Sequence, residues 1–325
     1  MTQFPIARRS LLALAGAALM LPQAALAQSW PSGSVQLVVP ARAGGGTDAV
    51  SRIIAGALQE QTGQPFVVVN NPGGGGVVAA EEVRNATPDG QTLLFFHTGV
   101  LAMHHTGSYA PDPMTAFAVA AEMAVGGTYA LAVAADSPYQ TLQDLVQASI
   151  DNPNSVSMGV QVRGSSHFMA GLLTSDSGAR FRIVDAGSDA DKMVQLQGHQ
   201  IDAAMVNTPG TLQYVENGDL RVLATIGSDA ARDPVLPDVP SMVEAGYPNA
   251  LYGLDFLILA PVGTDPAVVQ SIHDAFAAVV ANEAIDAQLT GMGFALSMVP
   301  QEAMQARLEG IDARVAATAE LLGLN

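Results

Sequence analysis

Three short segments of this chain carry the residue types that hold anions: Arg42-Ala43-Gly44-Gly45-Gly46-Thr47-Asp48, Gly73-Gly74-Gly75-Gly76 and Arg163-Gly164-Ser165-Ser166-His167. Glycines let backbone amides approach a ligand with no side chain between them, an arginine adds a permanent positive charge, and serine hydroxyls donate hydrogen bonds. His97 and Thr98, Asp185 and Asn207 stand at or beside the ends of other apolar runs and join them as candidates. These residues do not assemble into a nucleophile, a base and an orienting group, so binding without catalysis is the expected chemistry. Ser165 and Ser166 lack the Gly-x-Ser-x-Gly setting of a hydrolase nucleophile. Gly46 is followed by Thr47, Asp48 and Ala49, which satisfies neither Gly-x-Gly-x-x-Gly nor Gly-Lys-Ser/Thr. His-Glu-x-x-His is absent, and no metal or cofactor is expected.

Each glycine segment needs an element on either side to aim it. Val35 to Val39 is an apolar run that empties into the first segment, and Val50, Ile53, Ile54, Ala57 and Leu58 follow it at the spacing of one helix face. Phe66 to Val69 empties into the second, ahead of a helix expected from Val77 to Asn85. Thr92 to Phe96 is a third strand, and His97 its exit. A strand ending in a turn that opens a helix points the first free N–H groups of that helix at whatever sits there. Asp48, at the start of such a helix, can cap it or meet the ligand; Ser165 and Ser166 can likewise cap, bind, or do both. Tyr129 to Ala134, Ser155 to Val160, Arg180 to Val184, Ile201 to Val206, Leu220 to Ile226 and Leu254 to Ala260 read as further strands. Helices are expected between them, then over Asp265 to Ala281 and Gln301 to Leu322. Alternation of this kind predicts parallel sheets covered by helices, with ligands beyond the carboxyl ends of the strands.

The chain has 325 residues, 49% of them hydrophobic, enough for two medium cores. Its 13 basic residues face 30 acidic ones for a net charge of −17, and the only lysine is Lys192. A nucleic acid or an anionic membrane surface needs a basic face, so neither is an expected partner. Cysteine is absent, which removes disulfides and thiolate chemistry. Residues 1–27 read as a cleaved export signal: Arg8-Arg9, the apolar stretch Leu11 to Leu21, then Ala25-Leu26-Ala27. The paired arginines also permit the twin-arginine route. No other stretch is apolar enough to insert into a membrane, and the product is expected in the periplasm. The 13 methionines are scattered rather than clustered, and aromatic content is 5%, which argues against a pocket that stacks aromatic ligands.

An ordered series of motifs runs through nearly all of the mature chain. It comprises Trp30-Pro31, Val38-Val39-Pro40, Gly44-Gly45-Gly46-Thr47-Asp48, Asn70-Asn71-Pro72-Gly73, Pro88-Asp89-Gly90 and Gly164-Ser165-Ser166-His167. Gly198-His199-Gln200-Ile201-Asp202 and Leu236-Pro237-Asp238-Val239-Pro240 continue it. The series resembles the substrate-binding proteins of tripartite tricarboxylate transporters, the Bug proteins. That resemblance implies an α/β two-lobe clamp of the periplasmic-binding-protein type II kind, holding a small carboxylate between its lobes and delivering it to integral-membrane transporter subunits driven by an ion gradient. It places one lobe at 28–129 plus 253–325 and the other at 130–252. A sensor presenting the same ligand to a membrane signalling protein is the alternative. Two departures bear on ligand choice: Ala41-Arg42 stands where many members carry an aromatic and a small residue, and Val184 to Asp189 replaces the usual tyrosine-containing segment.

Overall fold

The computed structural model describes residues 30–126, 129–228 and 230–324. The export signal expected at 1–27 lies outside the described residues. In chain order the first elements are β1 (Val35–Val39), α1 (Gly46–Thr62), β2 (Phe66–Asn70), α2 (Val77–Arg84), β3 (Thr92–His97), α3 (Gly99–His105), α4 (Pro113–Ala116) and β4 (Phe117–Gly126). The middle of the chain forms β5 (Tyr129–Ala134), α5 (Leu142–Asp151), β6 (Ser157–Val160), α6 (Ser165–Ser177), β7 (Arg182–Asp185), α7 (Asp189–Gln197), β8 (Ala203–Asn207), α8 (Thr208–Glu216) and β9 (Leu220–Ile226). The last stretch gives β10 (Phe256–Pro261), α9 (Pro266–Val280), α10 (Glu283–Thr290), β11 (Ala295–Met298) and α11 (Gln301–Leu321).

These strands build two sheets, one ordered β11-β4-β10-β3-β1-β2 and the other β7-β6-β8-β5-β9. In the first sheet β1, β2, β3 and β4 run the same way while β10 and β11 run against them; in the second, β5 alone is reversed. The protein is thus an α/β two-lobe structure with mainly parallel strands. The chain leaves the first sheet after Gly126, and β10 brings it back at Phe256. Burial explains the strand sequences. All of β10 is buried, and β1 is buried at every position but Gln36, as expected for strands covered on both faces. The stripe expected on α1 packs as foreseen: Val50, Ile54 and Leu58 are buried and Ile53 and Ala57 lie against the same core.

Five elements were not assigned from the sequence: α3, α4, β4, α10 and β11. β4 reads Phe-Ala-Val-Ala-Ala-Glu-Met-Ala-Val-Gly, with no polar alternation to mark it, because it is central in its sheet. β11 spans four residues, and α10 beside it is short. The terminal helix α11 packs against α3 of the first lobe and α6 of the second, where Leu322 fills the space left by the missing side chain of Gly171. Among the described residues no helix is long and apolar enough to cross a membrane.

Close to the two crossings the protein buries opposing charges. Glu122 of β4 and Asp255 are fully buried, and Arg307 of α11 reaches both, with Nε 2.9 Å from Glu122 Oε1 and Nη2 2.6 Å from Asp255 Oδ2. Asp255 Oδ1 also accepts from the Val125 amide. One guanidinium cannot neutralise two carboxylates, and burial, followed by the nearby Asp255, pushes Glu122 up to about 8. An unfolded glutamate releases its proton near 4.5, whereas the folded protein keeps it to about pH 8. Stability should therefore fall as pH rises through that window. Glu122→Gln is expected to flatten this part of the stability profile in denaturant titrations. Arg307→Ala, which leaves the buried Asp255 carboxylate beside Glu122 without its cation, should cost about 3–5 kcal/mol.

Candidate functional site

A cavity of about 470 Å³ lies between the lobes. Its first-lobe wall includes Pro40, Gly74, Gly75, Phe96, His97, Met103 and Thr106; the second-lobe wall includes Tyr129, Gln161 to Ser166, Ser188, Asp189 and Lys192. Both walls draw on the exits of parallel strands, joined by α3 on the first lobe and by Tyr129 at the start of the reversed β5 on the second. On the first lobe, Gly74 and Gly75 follow β2 in left-handed conformations, with φ of 61° and 68°, which L side chains rarely adopt. They line the cavity with backbone alone. His97 ends β3, and its Nδ1 accepts from the Gly99 amide at 3.0 Å, so the neutral ring carries its proton on Nε2. Burial holds its pKa down at about 4. The histidine is a neutral donor at the cavity wall.

On the second lobe, α6 opens at the cavity. Its N-cap is Gly164, which brings no side-chain cap, and the Ser165 and Ser166 amides donate to no acceptor among the described residues. Free amides at a helix start, with the helix dipole behind them, favour a negative group. Arg163, just ahead of them, is exposed and adopts a left-handed backbone with φ of 65°. Its amide donates to His167 Nδ1 at 3.2 Å, which fixes the turn. Lys192 is buried beneath this turn and donates to Ser166 Oγ at 3.1 Å, Asp189 Oδ1 at 2.7 Å and the Met205 carbonyl at 3.0 Å. Burial, with Asp189 nearby, pushes the Tyr129 hydroxyl well up, so it remains protonated.

Of the residues expected from sequence, Gly75, His97, Arg163, Gly164, Ser165 and Ser166 line this cavity. Gly46, Thr47 and Asn207 line a smaller space of about 120 Å³ next to it, which shares His97, Tyr129 and Leu254 and is closed by Phe256 and Phe294. The other expected residues lie off both. Asp48 Oδ2 accepts from the Gly44 amide at 2.8 Å and folds the first glycine loop back onto α1, so Arg42, Ala43, Gly44 and Gly45 are exposed outside the cavity. Burial raises the Asp48 carboxyl, but Arg52, the Gly44 amide and Asn70 outweigh it and hold it at about 2, a structural role. Gly76 is buried at the start of α2. Thr98 is tied to the Gly253 and Asp255 carbonyls at the return crossing. His167 is buried behind Arg163, and Asp185 is an exposed acceptor 3.5 Å from the Val162 amide.

Tyr129, Asp189 and Lys192 were not picked out. The sequence did hold one signal, a sole lysine placed three residues after an aspartate at the start of an expected helix.

Comparisons with known proteins agree with this architecture. Residues 50–316 match the family model described as tripartite tricarboxylate transporter family receptor. A UPF0065 protein from the gbd 5′ region of Cupriavidus necator is 33% identical over 257 residues, 79% of this chain and 77% of that protein. Protein BugT of Bordetella pertussis is 29% identical over 294 residues, covering 81% and 82%. Among solved structures, an R. palustris protein with adipate superposes with a TM-score of 0.77 at 28% identity, over 90% of this chain and 98% of that one. The periplasmic binding protein BugD gives 0.74 at 26% identity, over 91% and 99%.

An unfolded histidine titrates near 6.5 and the half-buried His97 near 4, so between these values the unfolded state binds the extra proton and stability falls as pH drops. His97→Gln should remove that contribution, seen as a shallower decline of the denaturant midpoint between about pH 6.5 and 4. An unchanged decline would mean the ring is not held neutral by its burial.

Proposed function

The chain belongs to the tripartite tricarboxylate transporter receptor family, and from that premise we propose that it is a periplasmic receptor that closes on a small organic carboxylate and delivers it to membrane transporter subunits. The observation that carries this reading is the pairing of walls. Bare backbone at Gly74 and Gly75 faces, across one cavity, the free amides of Ser165 and Ser166 with Arg163 beside them. A carboxylate against the start of α6 takes hydrogen bonds from amides with no acceptor among the described residues, in a setting drier than open solvent. The same anion draws the first-lobe glycines and the His97 Nε2–H onto its other side. Contacts made to both lobes at once exist only when the lobes are together, so ligand binding shifts the population toward the closed form. A cavity of about 470 Å³ suits a small acid. The relative with adipate supports a carboxylate.

Family membership describes a solute-binding receptor, and the cavity walls accord with binding. Arg42, exposed and off the cavity lining, carries less weight for ligand choice in this reading than Arg163, which lines it.

A thermal-shift and calorimetric screen of the mature protein against citrate, tricarballylate and C4 to C6 dicarboxylates tests the reading. A ligand at a hundred times its dissociation constant should stabilise by about 2.7 kcal/mol. Arg163→Ala should weaken the best ligand by about 1.5–3 kcal/mol, one to two decades, and Arg42→Ala should leave it unchanged. If a neutral or cationic solute raises the midpoint and every carboxylate leaves it unmoved, the proposal fails.

A further inference from the structure

We propose that Asp189 and Lys192 make the second-lobe wall a paired acceptor and donor, so that the cleft selects carboxylates carrying a hydroxyl or ammonium group next to the acid. The inference rests on the carboxylate-receptor reading and narrows its substrate class. It follows from counting protons. Lys192 has three, and all are given away, to Ser166 Oγ, Asp189 Oδ1 and the Met205 carbonyl. The lysine therefore has nothing left to donate to a ligand and acts through its neighbours.

Ser166 Oγ accepts from Lys192 Nζ and from the Gln161 amide at 2.8 Å. Both lone pairs are occupied, and the hydroxyl proton is left to donate into the cavity that Ser166 lines. Asp189 is the complement. Its Oδ1 is held by Lys192 and its Oδ2 by the Asn207 amide at 3.1 Å, which fills two of about four acceptor directions of a carboxylate. The side chain remains 29% exposed, and it is the one acidic group among the described residues lining this cavity. Ser166 and Asp189 are bonded to one nitrogen, so donor and acceptor stand within two hydrogen-bond lengths of each other. A carboxylate oxygen and a substituent on the adjacent carbon can bridge that gap. An unsubstituted acid leaves Asp189 facing either apolar carbon or a second carboxylate, and both are unfavourable.

Calorimetric titration with matched probes decides the matter: succinate, malate and aspartate as one set, adipate, 2-hydroxyadipate and 2-aminoadipate as the other. In the wild type, a substituted member is expected to bind about tenfold or more tightly than its parent in at least one set. Asp189→Asn alone strands a buried ammonium and can unfold the protein, so the test variant is Asp189→Asn with Lys192→Met, which removes both charges together. It should bring the ratio to within about threefold while the unsubstituted parent still binds. Equal affinities within both sets in the wild type would overturn the inference and leave the receptor reading standing. A ratio unchanged in the double variant would also overturn it. No binding by any of the six acids would refute both.

Discussion

An ammonium group inside a protein must hand each of its protons to an acceptor, and the second lobe is arranged around that requirement. Lys192 stands in α7, but its three acceptors come from α6, from α7 itself and from β8. Asp189 passes the connection on to the Asn207 amide, and Ser166 passes it to the Gln161 amide. Three strand exits are thereby held at fixed distances from one buried nitrogen. The start of α6 can then remain uncapped, because the loop that leads into it is positioned by Ser166 and His167 and not by a bond to its own first amides. A helix start left free in this way costs stability in the empty protein and is repaid when an anion arrives.

The first lobe reaches a similar end by backbone alone. Two left-handed glycines after β2 clear the wall of side chains, and His97 adds a neutral N–H where a charge would be costly. Among the described residues lining the cavity, Arg163 at the rim of the opposite lobe is the one full positive charge without an ion-pair partner. Polarity is thus divided between the jaws, and neither alone encloses an anion. The return crossing is stiffened elsewhere. Asp255 binds the Val125 amide, Thr98 and Arg307, so the segment entering β10 is tied to β3, β4 and α11 at one point. Because α11 touches both α3 and α6, movement between the lobes must slide or bend along that helix.

Much of this was legible in the sequence, and the limits have physical causes. Apolar runs ending in glycines marked β1, β2 and the entry to α6, because burial on both faces and the need for left-handed backbone each leave a local signature. The loop Arg163 to His167 stood out for that reason, and its first four residues line the cavity. β4 was missed because a strand central in a covered sheet shows no alternation. The position of Arg42 does not follow from its neighbours in sequence: the Gly44 amide donates to Asp48, and Arg42 is exposed and off the cavity lining. Lys192 was counted but not placed. Its partners lie 26, 3 and 13 residues away, and only the order of strands brings Ser166 and Met205 beside it.

The central claim is that a ligand carboxylate lies against the uncapped start of α6, and a crystal structure of the mature protein with its best-binding acid tests it most directly. The account predicts one carboxylate within hydrogen-bond distance of the Ser165 and Ser166 amides, with Gly74 and Gly75 closing on it from the other lobe. A carboxylate bound instead beside Arg42, with the Ser165 and Ser166 amides open to water, would contradict it.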